Sequence, residues 1–211
     1  MRLRSWLLLT LLVAPVRAGA GTAPGVQIQI DGLGAGPVGK YAFAGGRAAS
    51  SFYGPGPGPG MMASVTFGVR QHIVLGARGG VYRDEKSEDL GPPIGGTIKR
   101  KLTAVPVHVI SQYRGRLPWW GLSLYGESGI GVVTHTQKLR LDAFTPPFVL
   151  AAHQTSFSFM GGAGLSHPIA KEADLVLSSD YEQALTKRGD AWGPGDNPKA
   201  VVVSLGLRFP R

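Results

Sequence analysis

A histidine and a serine, the side chains of many hydrolase sites, lie three residues apart at His153 and Ser156. A serine nucleophile needs a base within hydrogen-bond reach and a third group that orients that base. In a β-strand, a spacing of three sends the two side chains to opposite faces. No acidic residue stands in an obvious orienting position. The pattern therefore gives little support to a hydrolase, and we predict that the chain is not an enzyme.

The histidines show no spacing typical of metal ligands. There are five of them, at His72, His108, His135, His153 and His167. His135 and His153 flank one segment and can approach each other, but two imidazoles without a carboxylate make a poor metal site. Cysteine is absent, which excludes disulfides, thiolate ligands and cysteine nucleophiles. We predict neither a metal nor a cofactor.

Several segments of the chain alternate between two faces, and the charged residues within them lie on only one of these faces. The opposite face of each segment carries no charge, as in Val65, Phe67 and Val69. We interpret the charged face as the lumen of a barrel. Its predicted charge network consists of Asp31, Arg70, Arg78, His108, Arg114, Glu127, Asp174, Asp180, Glu182 and Arg208. Two ion pairs are suggested by strand position, Asp174 with Arg208 and Arg78 with Glu127, because an unpaired buried charge is costly.

The segments that position these charges show a period of two, typical of β-strands, and no sustained helical periodicity after residue 25. Eight strands are predicted, at residues 26–34, 60–70, 73–83, 102–114, 120–134, 155–166, 173–185 and 200–209. The connections alternate between long and short. The long ones are predicted at Ala35 to Pro59, Asp84 to Lys101, Thr136 to Gln154 and Thr186 to Lys199. Long extracellular loops that alternate with short periplasmic turns are typical of outer-membrane barrels.

The composition agrees with this fold class, an all-β, eight-stranded antiparallel up-and-down transmembrane barrel. Charged residues make up 17% of the 211 residues, and 32 residues are Gly. A soluble enzyme usually carries more charge. In a membrane barrel, lipid-facing and lumen-facing residues alternate, which explains a mean hydropathy near neutral. Residues 1–20 have a basic start, a short apolar stretch and small residues typical of a cleavable signal peptide. Residues 21–211 form the predicted barrel domain.

The formal net charge of +9 raises the question of an anionic partner. The basic residues are scattered, so we predict no nucleic-acid binding. A basic outer rim is predicted at the extracellular strand ends from Lys99, Arg100, Lys101, Lys138, Arg140, Lys187 and Arg188. Such groups attract the phosphates of lipopolysaccharide. Ordinary solvated loop charge, partly offset by nearby acids such as Asp84 and Glu85, explains the pattern equally well.

Three paired-strand units carry a resemblance to a known family. They are residues 61–82, residues 105–131 and residues 159–177, and a last strand ends at Phe209. On these segments the chain resembles the small eight-stranded bacterial outer-membrane β-barrel family, the outer membrane protein β-barrel domain. The resemblance implies export to the bacterial outer membrane, contact with the barrel assembly machinery through a terminal aromatic residue, and a monomeric barrel. Pro210 and Arg211 follow Phe209, which departs from the family's usual ending.

Several functions remain open at this level. We expect a structural or adhesive role through the extracellular loops, with contact to outer-membrane lipid and lipopolysaccharide. A narrow pore for small solutes or ions is an alternative, although eight strands leave an interior that side chains nearly fill. An outer-membrane lipid-modifying hydrolase and a soluble periplasmic lipocalin-like binder are further alternatives. The lipocalin type requires the apolar face to point inward.

Overall fold

The computed structural model describes residues 25–37, 58–91, 95–117, 121–185 and 199–210. The predicted signal peptide lies outside these residues. The described chain forms eight strands: β1 Val26–Pro37, β2 Gly58–Arg70, β3 Ile73–Asp89, β4 Thr97–Arg116, β5 Ser123–Leu141, β6 Phe148–Ala170, β7 Ala173–Leu185 and β8 Lys199–Pro210. None of the described segments is a helix of the length and apolarity needed to cross a membrane.

Each strand pairs antiparallel with its neighbour in sequence, and β1 pairs with β8, so the sheet closes on itself. The closing pair runs in register from Gln27 opposite Pro210 to Pro37 opposite Ala200. Closure leaves no sheet edge within the eight-stranded part of the wall, which is the condition for a sheet to span lipid. This confirms the fold class predicted from the alternation.

The pleat of the strands separates two kinds of surface. The outer surface carries exposed apolar side chains, including Val65, Val109, Ile130, Leu177 and Leu205. The inner surface buries Arg, Asp, Glu, Gln and Ser side chains. A lipocalin-like binder needs the reverse arrangement, so the lipocalin alternative is wrong for this fold. On β4 the outward apolar side chains begin at Val105, and on β5 they end at Val132. We call this outward surface the apolar band.

Strands β3 to β6 are longer than the alternation predicted. The charged segment after Asp84 continues in the β3–β4 ladder as far as Asp89 opposite Thr97. The β5–β6 ladder likewise continues to Leu141 opposite Phe148. The loops predicted at Asp84 to Lys101 and Thr136 to Gln154 therefore shrink to the residues between these strand ends. Outside lipid, charged and polar side chains on both faces are compatible with a strand, so polarity marked the end of the apolar band and not the end of the ladder.

The four long strands form a sheet that projects beyond the apolar band, which we call the extension. It comprises residues 83–89 of β3, 97–103 of β4, 134–141 of β5 and 148–155 of β6. The predicted loops between β1 and β2 and between β7 and β8 lie largely outside the described residues. Where the structure describes their ends, β1 continues to Pro37 and β2 begins at Gly58.

Candidate functional sites in the lumen and at the extracellular rim

A buried ion cluster lies at mid-height in the lumen. Arg78 Nη1 donates to Glu127 Oε1 at 2.6 Å and to Asp180 Oδ2 at 2.8 Å. All three side chains are nearly inaccessible to solvent. Glu127 also accepts a hydrogen bond from Gln112. The pair of Arg78 and Glu127 that the sequence suggested is thus present, and Asp180 joins it from the far side of the barrel.

Inward-facing glycines bring side chains of second-neighbour strands together. Gly162 lies opposite Glu127 on one side and opposite Asp180 on the other. A Cβ atom at position 162 would lie only 2.1 Å from Asp180 Oδ1. In the same way Gly131 separates His108 from Ser158, and His108 Nε2 lies 2.8 Å from Ser158 Oγ. Sequence reasoning missed Ser158 as a partner of His108, although the order of strands and the glycine between them carried that signal.

The His108–Ser158 pair resembles a base beside a nucleophile, but its surroundings do not suit catalysis. His108 is 2% exposed and Ser158 is 0% exposed. A substrate cannot approach groups that are enclosed in the wall of a filled barrel. The pair therefore satisfies two buried polar groups, which is the usual state of such groups in folded proteins.

A second ion cluster lies toward the predicted periplasmic end of the lumen. Arg208 Nη2 donates to Asp174 Oδ2 at 2.6 Å and to Ser166 Oγ at 2.6 Å. The structure thus brings together the second pair that the sequence suggested. Arg114 donates to Gln27 and Gln112 beside it. Asp31 is held separately by Gln29 Nε2, which donates to both carboxylate oxygens at 3.0 Å.

An apolar layer of buried residues lies in the lumen, mostly toward the predicted extracellular end. It is a cluster of buried residues contributed by seven of the eight strands: Leu33, Ala35, Met62, Tyr82, Ala104, Val133, Ala184, Ala200 and Val202. Tyr82 is 5% exposed and Val133 is 0% exposed. Buried polar groups lie at the same level, because Glu182 is opposite Ala200 and His135 is opposite Ala104. Apolar and polar side chains together fill this part of the lumen.

The structure places most of the predicted lumen residues inside the barrel. Arg114 and Asp174 are half-buried, and seven others are buried: Asp31, Arg78, His108, Glu127, Asp180, Glu182 and Arg208. Arg70 is the exception, because it is exposed at the end of β2. The ladder between β2 and β3 shifts register between Gly68 and Arg70. This bulge interrupts the strict alternation on which the assignment of Arg70 to the lumen depended.

Four of the predicted rim cations gather on the outward face of the extension. Lys99 lies directly opposite Arg140, and Lys101 lies directly opposite Lys138. All four side chains are exposed. We call these four residues the cation cluster. Arg100 was predicted with them, but it alternates with Lys99 and Lys101 on β4 and is only half-exposed on the other face. Lys187 and Arg188 lie outside the described residues.

Two carboxylates offset part of this charge. Asp142 Oδ2 lies 3.4 Å from Lys99 Nζ, and Asp142 Oδ1 accepts a hydrogen bond from Arg140 Nε at 2.5 Å. This hydrogen bond from Arg140 lowers the pKa of Asp142 below its ordinary value. Glu85 Oε2 lies 3.6 Å from Lys101 Nζ. Among the described residues, four cations thus share two carboxylates, so the cluster keeps a net positive charge.

The candidate hydrolase and metal residues are not assembled. His153 is exposed and Ser156 is buried, so they lie on opposite faces as the spacing predicted. His153 Nδ1 lies 3.0 Å from Thr136 Oγ1. His135 is buried on the inner face, whereas His153 is exposed on the outer face. The prediction that these two histidines can approach each other is therefore wrong. Within the part of the chain that the structure describes, no group of three or more His, Asp or Glu residues could hold a metal ion.

The fold is that of the eight-stranded outer-membrane β-barrels. Neisserial surface protein A superposes with a TM-score of 0.54 at 14% identity, covering 92% of this chain and 100% of that one. The outer membrane protein OprG from Pseudomonas aeruginosa gives 0.55 at 12% identity, covering 91% and 98%. Ail of Yersinia pestis, solved with the heparin analogue sucrose octasulfate, gives 0.50 at 15% identity, covering 90% and 100%.

These similarities extend over nearly the whole chain and concern architecture. No family model matches the sequence, and no curated protein matches it. The protein therefore has the fold that defines the class of outer-membrane barrels.

Proposed function

We propose that this protein is an integral outer-membrane barrel with a filled lumen. It has a structural and adhesive role, exerted through its extracellular side, and binds phosphate groups of lipopolysaccharide through the cation cluster. Residues 1–20 direct its export and are removed. The assembly machinery then inserts a monomeric barrel.

The observation that carries this proposal is the height of the cation cluster. Lys101 lies four residues beyond Val105, the edge of the apolar band on β4. At roughly 3.3 Å per residue and a strand tilt of about 40°, this is about 10 Å above the band. Lys99 lies two residues further. This level corresponds to the anionic headgroup layer of the outer leaflet, next to which each Lys or Arg gains roughly 1 kcal/mol.

The register of the cluster also favours an anionic ligand. Like charges directly opposite each other on neighbouring strands destabilise a sheet by about 0.2–1 kcal/mol. Lys101 opposite Lys138 is such a pair, whereas Lys99 and Arg140 are bridged by Asp142. A phosphate between the strands converts this repulsion into charge-assisted hydrogen bonds. The heparin analogue bound to Ail is likewise an anionic saccharide, which supports this ligand chemistry for a similar fold.

The filled lumen favours a structural role and disfavours the alternative, a narrow pore. The ion clusters occupy the middle and one end of the interior, and the apolar layer adds further buried side chains from seven strands. A lipid-modifying hydrolase is disfavoured by the separation of His153 from Ser156. The basic rim is therefore the feature of this barrel that is best suited to a ligand.

The test is thermal unfolding of the detergent-solubilised barrel with bisphosphorylated or dephosphorylated lipid A. We expect the phosphorylated lipid to raise the Tm by about 5 °C or more at roughly one hundred times its Kd. The double variant Lys99→Glu/Lys101→Glu should lose this rise. The matched control Arg116→Glu/Lys171→Glu, at the opposite end, should keep it. Equal rises with both lipids would contradict phosphate binding.

Membrane insertion is tested separately by electrophoresis in SDS with and without boiling. A closed membrane barrel resists SDS at room temperature, so its mobility should shift only on heating. The protein should also remain in outer membranes after a urea wash. Recovery in the soluble periplasmic fraction would contradict the proposed location.

A further inference from the structure

Three uncharged polar side chains form a row on the outward face, between the apolar band and the cation cluster. Thr103 of β4 lies opposite Thr136 of β5, and Thr136 lies opposite His153 of β6. We call these three residues the polar row. Thr103 is two residues beyond Val105, which places it about 5 Å above the band at 3.3 Å per residue and a tilt of about 40°. The outward wall therefore changes from apolar to uncharged polar before it becomes cationic.

Cross-strand hydrogen bonds orient the side chains of this wall. Thr136 Oγ1 lies 3.0 Å from His153 Nδ1. One row nearer to the band, Thr134 Oγ1 lies 2.9 Å from Thr155 Oγ1. An imidazole has a second ring nitrogen that donates or accepts, and a hydroxyl can make more than one hydrogen bond. Because His153 is exposed and the bond to Thr136 uses only Nδ1, its Nε2 is available to a ligand.

A small side chain leaves space beside these groups. The next outward residue of β6 is Ala151, which lies directly opposite Lys138. Both residues are exposed. Lys138 differs from Arg140 in that it forms no ion pair with a described carboxylate. A ligand that covers the methyl group of Ala151 can therefore contact Lys138 on one side and His153 on the other.

The sequence of surfaces along this wall fits a phosphorylated glycolipid. The acyl chains of such a lipid lie in the hydrocarbon layer, its sugar rings carry hydroxyl and amide groups, and its phosphates are attached to those rings. The apolar band, the polar row and the cation cluster can contact these three parts. A phospholipid offers acyl chains and phosphate but no sugar ring. Precisely placed polar groups are what gives a binding site its specificity.

From these observations we propose that Thr136 and His153 are specificity-determining residues, which hydrogen-bond the sugar of a phosphorylated glycolipid whose phosphate lies at Lys138. The inference rests on the phosphate binding proposed above and names the feature of the ligand that charge cannot select. The cation cluster alone attracts any lipid phosphate. The polar row makes the barrel prefer a glycolipid to a phospholipid of equal charge.

The experiment measures the Tm of the full barrel in detergent at increasing concentrations of bisphosphorylated lipid A or of cardiolipin. Cardiolipin carries two phosphates on glycerol and no sugar, so it matches lipid A in phosphate number only. The concentration that gives half of the maximal Tm rise measures the affinity for each lipid. One hydrogen bond changes an affinity by about twofold to tenfold, so we expect lipid A to bind at least about fivefold tighter than cardiolipin.

Three double variants locate the preference. Thr136→Val/His153→Leu removes both polar contacts and should bring the affinity for lipid A to within about twofold of that for cardiolipin. Thr136→Ser/His153→Gln keeps a hydroxyl and a side-chain donor and should retain the preference. The matched control Ser123→Ala/His167→Leu, at the opposite end of the same two strands, should also retain it. The heat-dependent shift in SDS shows that each variant is a folded barrel.

Two results would overturn the inference and leave the phosphate contact intact: equal affinities for the two lipids in the wild-type barrel, or an undiminished preference in Thr136→Val/His153→Leu. Loss of the preference in the conservative variant or in the control would also overturn it, because the effect would then not come from hydrogen bonds of this wall. Absence of a Tm rise with either lipid would instead refute the phosphate contact, and the inference with it.

Discussion

Arg78 and Asp180 lie on diametrically opposite strands, β3 and β7, and Arg78 Nη1 donates to Asp180 Oδ2 over 2.8 Å. The ion pair therefore spans the width of the lumen. Glu127 binds the same nitrogen from β5, next but one to β7, and the glycine at position 162 on the strand between them leaves room for both carboxylates. The interior of the barrel is thus tied across its diameter as well as around its wall.

Truncation of the central cation should strongly destabilise the barrel. Arg78→Ala leaves Glu127 and Asp180 buried without their partner, which costs about 3–5 kcal/mol. Urea unfolding in lipid vesicles, followed by tryptophan fluorescence, measures this loss. Arg83→Ala, an exposed site on the same strand, should stay within about 0.5 kcal/mol.

Removal of every charge of the cluster should be tolerated much better. In Arg78→Met/Glu127→Gln/Asp180→Asn none of these three positions carries a buried charge, so we expect most of the loss in Arg78→Ala to be recovered. The same urea titration tests this. A triple variant as unstable as Arg78→Ala would show that the loss does not come from unpaired charge.

The glycine between the two carboxylates should not accept a side chain. Gly162→Ala places a Cβ atom 2.1 Å from Asp180 Oδ1 and 2.5 Å from the carbonyl oxygen of Ser179. We expect a loss of about 1–3 kcal/mol from the displacement. Gly34→Ala is the matched control, because a Cβ atom there meets nothing within 4 Å. Similar unfolding midpoints for the two variants would contradict this account of the lumen.

The apolar layer should keep the barrel closed to ions. We expect the wild-type protein to show no steady conductance in planar lipid bilayers. Tyr82→Gly/Val133→Ser removes two of its larger apolar side chains and should produce a measurable leak, because water enters the layer. A steady conductance of the wild-type barrel would instead favour the narrow pore.

Asp84, beyond the apolar band, should make stability depend on pH. Desolvation by burial raises the pKa of Asp84 to about 6. The folded state then binds more protons than the unfolded state between about pH 4 and 6, so this group lowers stability as pH rises through that window. Asp84→Asn should remove this component and increase stability at pH 7 by on the order of 1 kcal/mol. Unfolding midpoints at pH 4, 5, 6 and 7 test the prediction, and an unchanged pH profile would contradict it.

The strand pattern shows how far the sequence alone determines the fold. Alternation of apolar and polar residues predicted eight strands, the outward apolar surface and the burial of residues such as Arg78 and Asp180. This worked because lipid excludes charge from one face, so the constraint is written at every second residue. Pairing on directly adjacent strands was also accessible, as with Asp174 and Arg208.

Tertiary structure decided what depends on register between strands. The length of β3 to β6 follows from cross-strand pairing, which continues after the lipid constraint on residue type has ended. Arg70 is exposed because a bulge interrupts the alternation, and His108 meets Ser158 because a glycine lies between them. The cation cluster has the same origin. Which charges stand opposite each other, and which strand outlasts its neighbour, are properties of the paired sheet and not of any single segment.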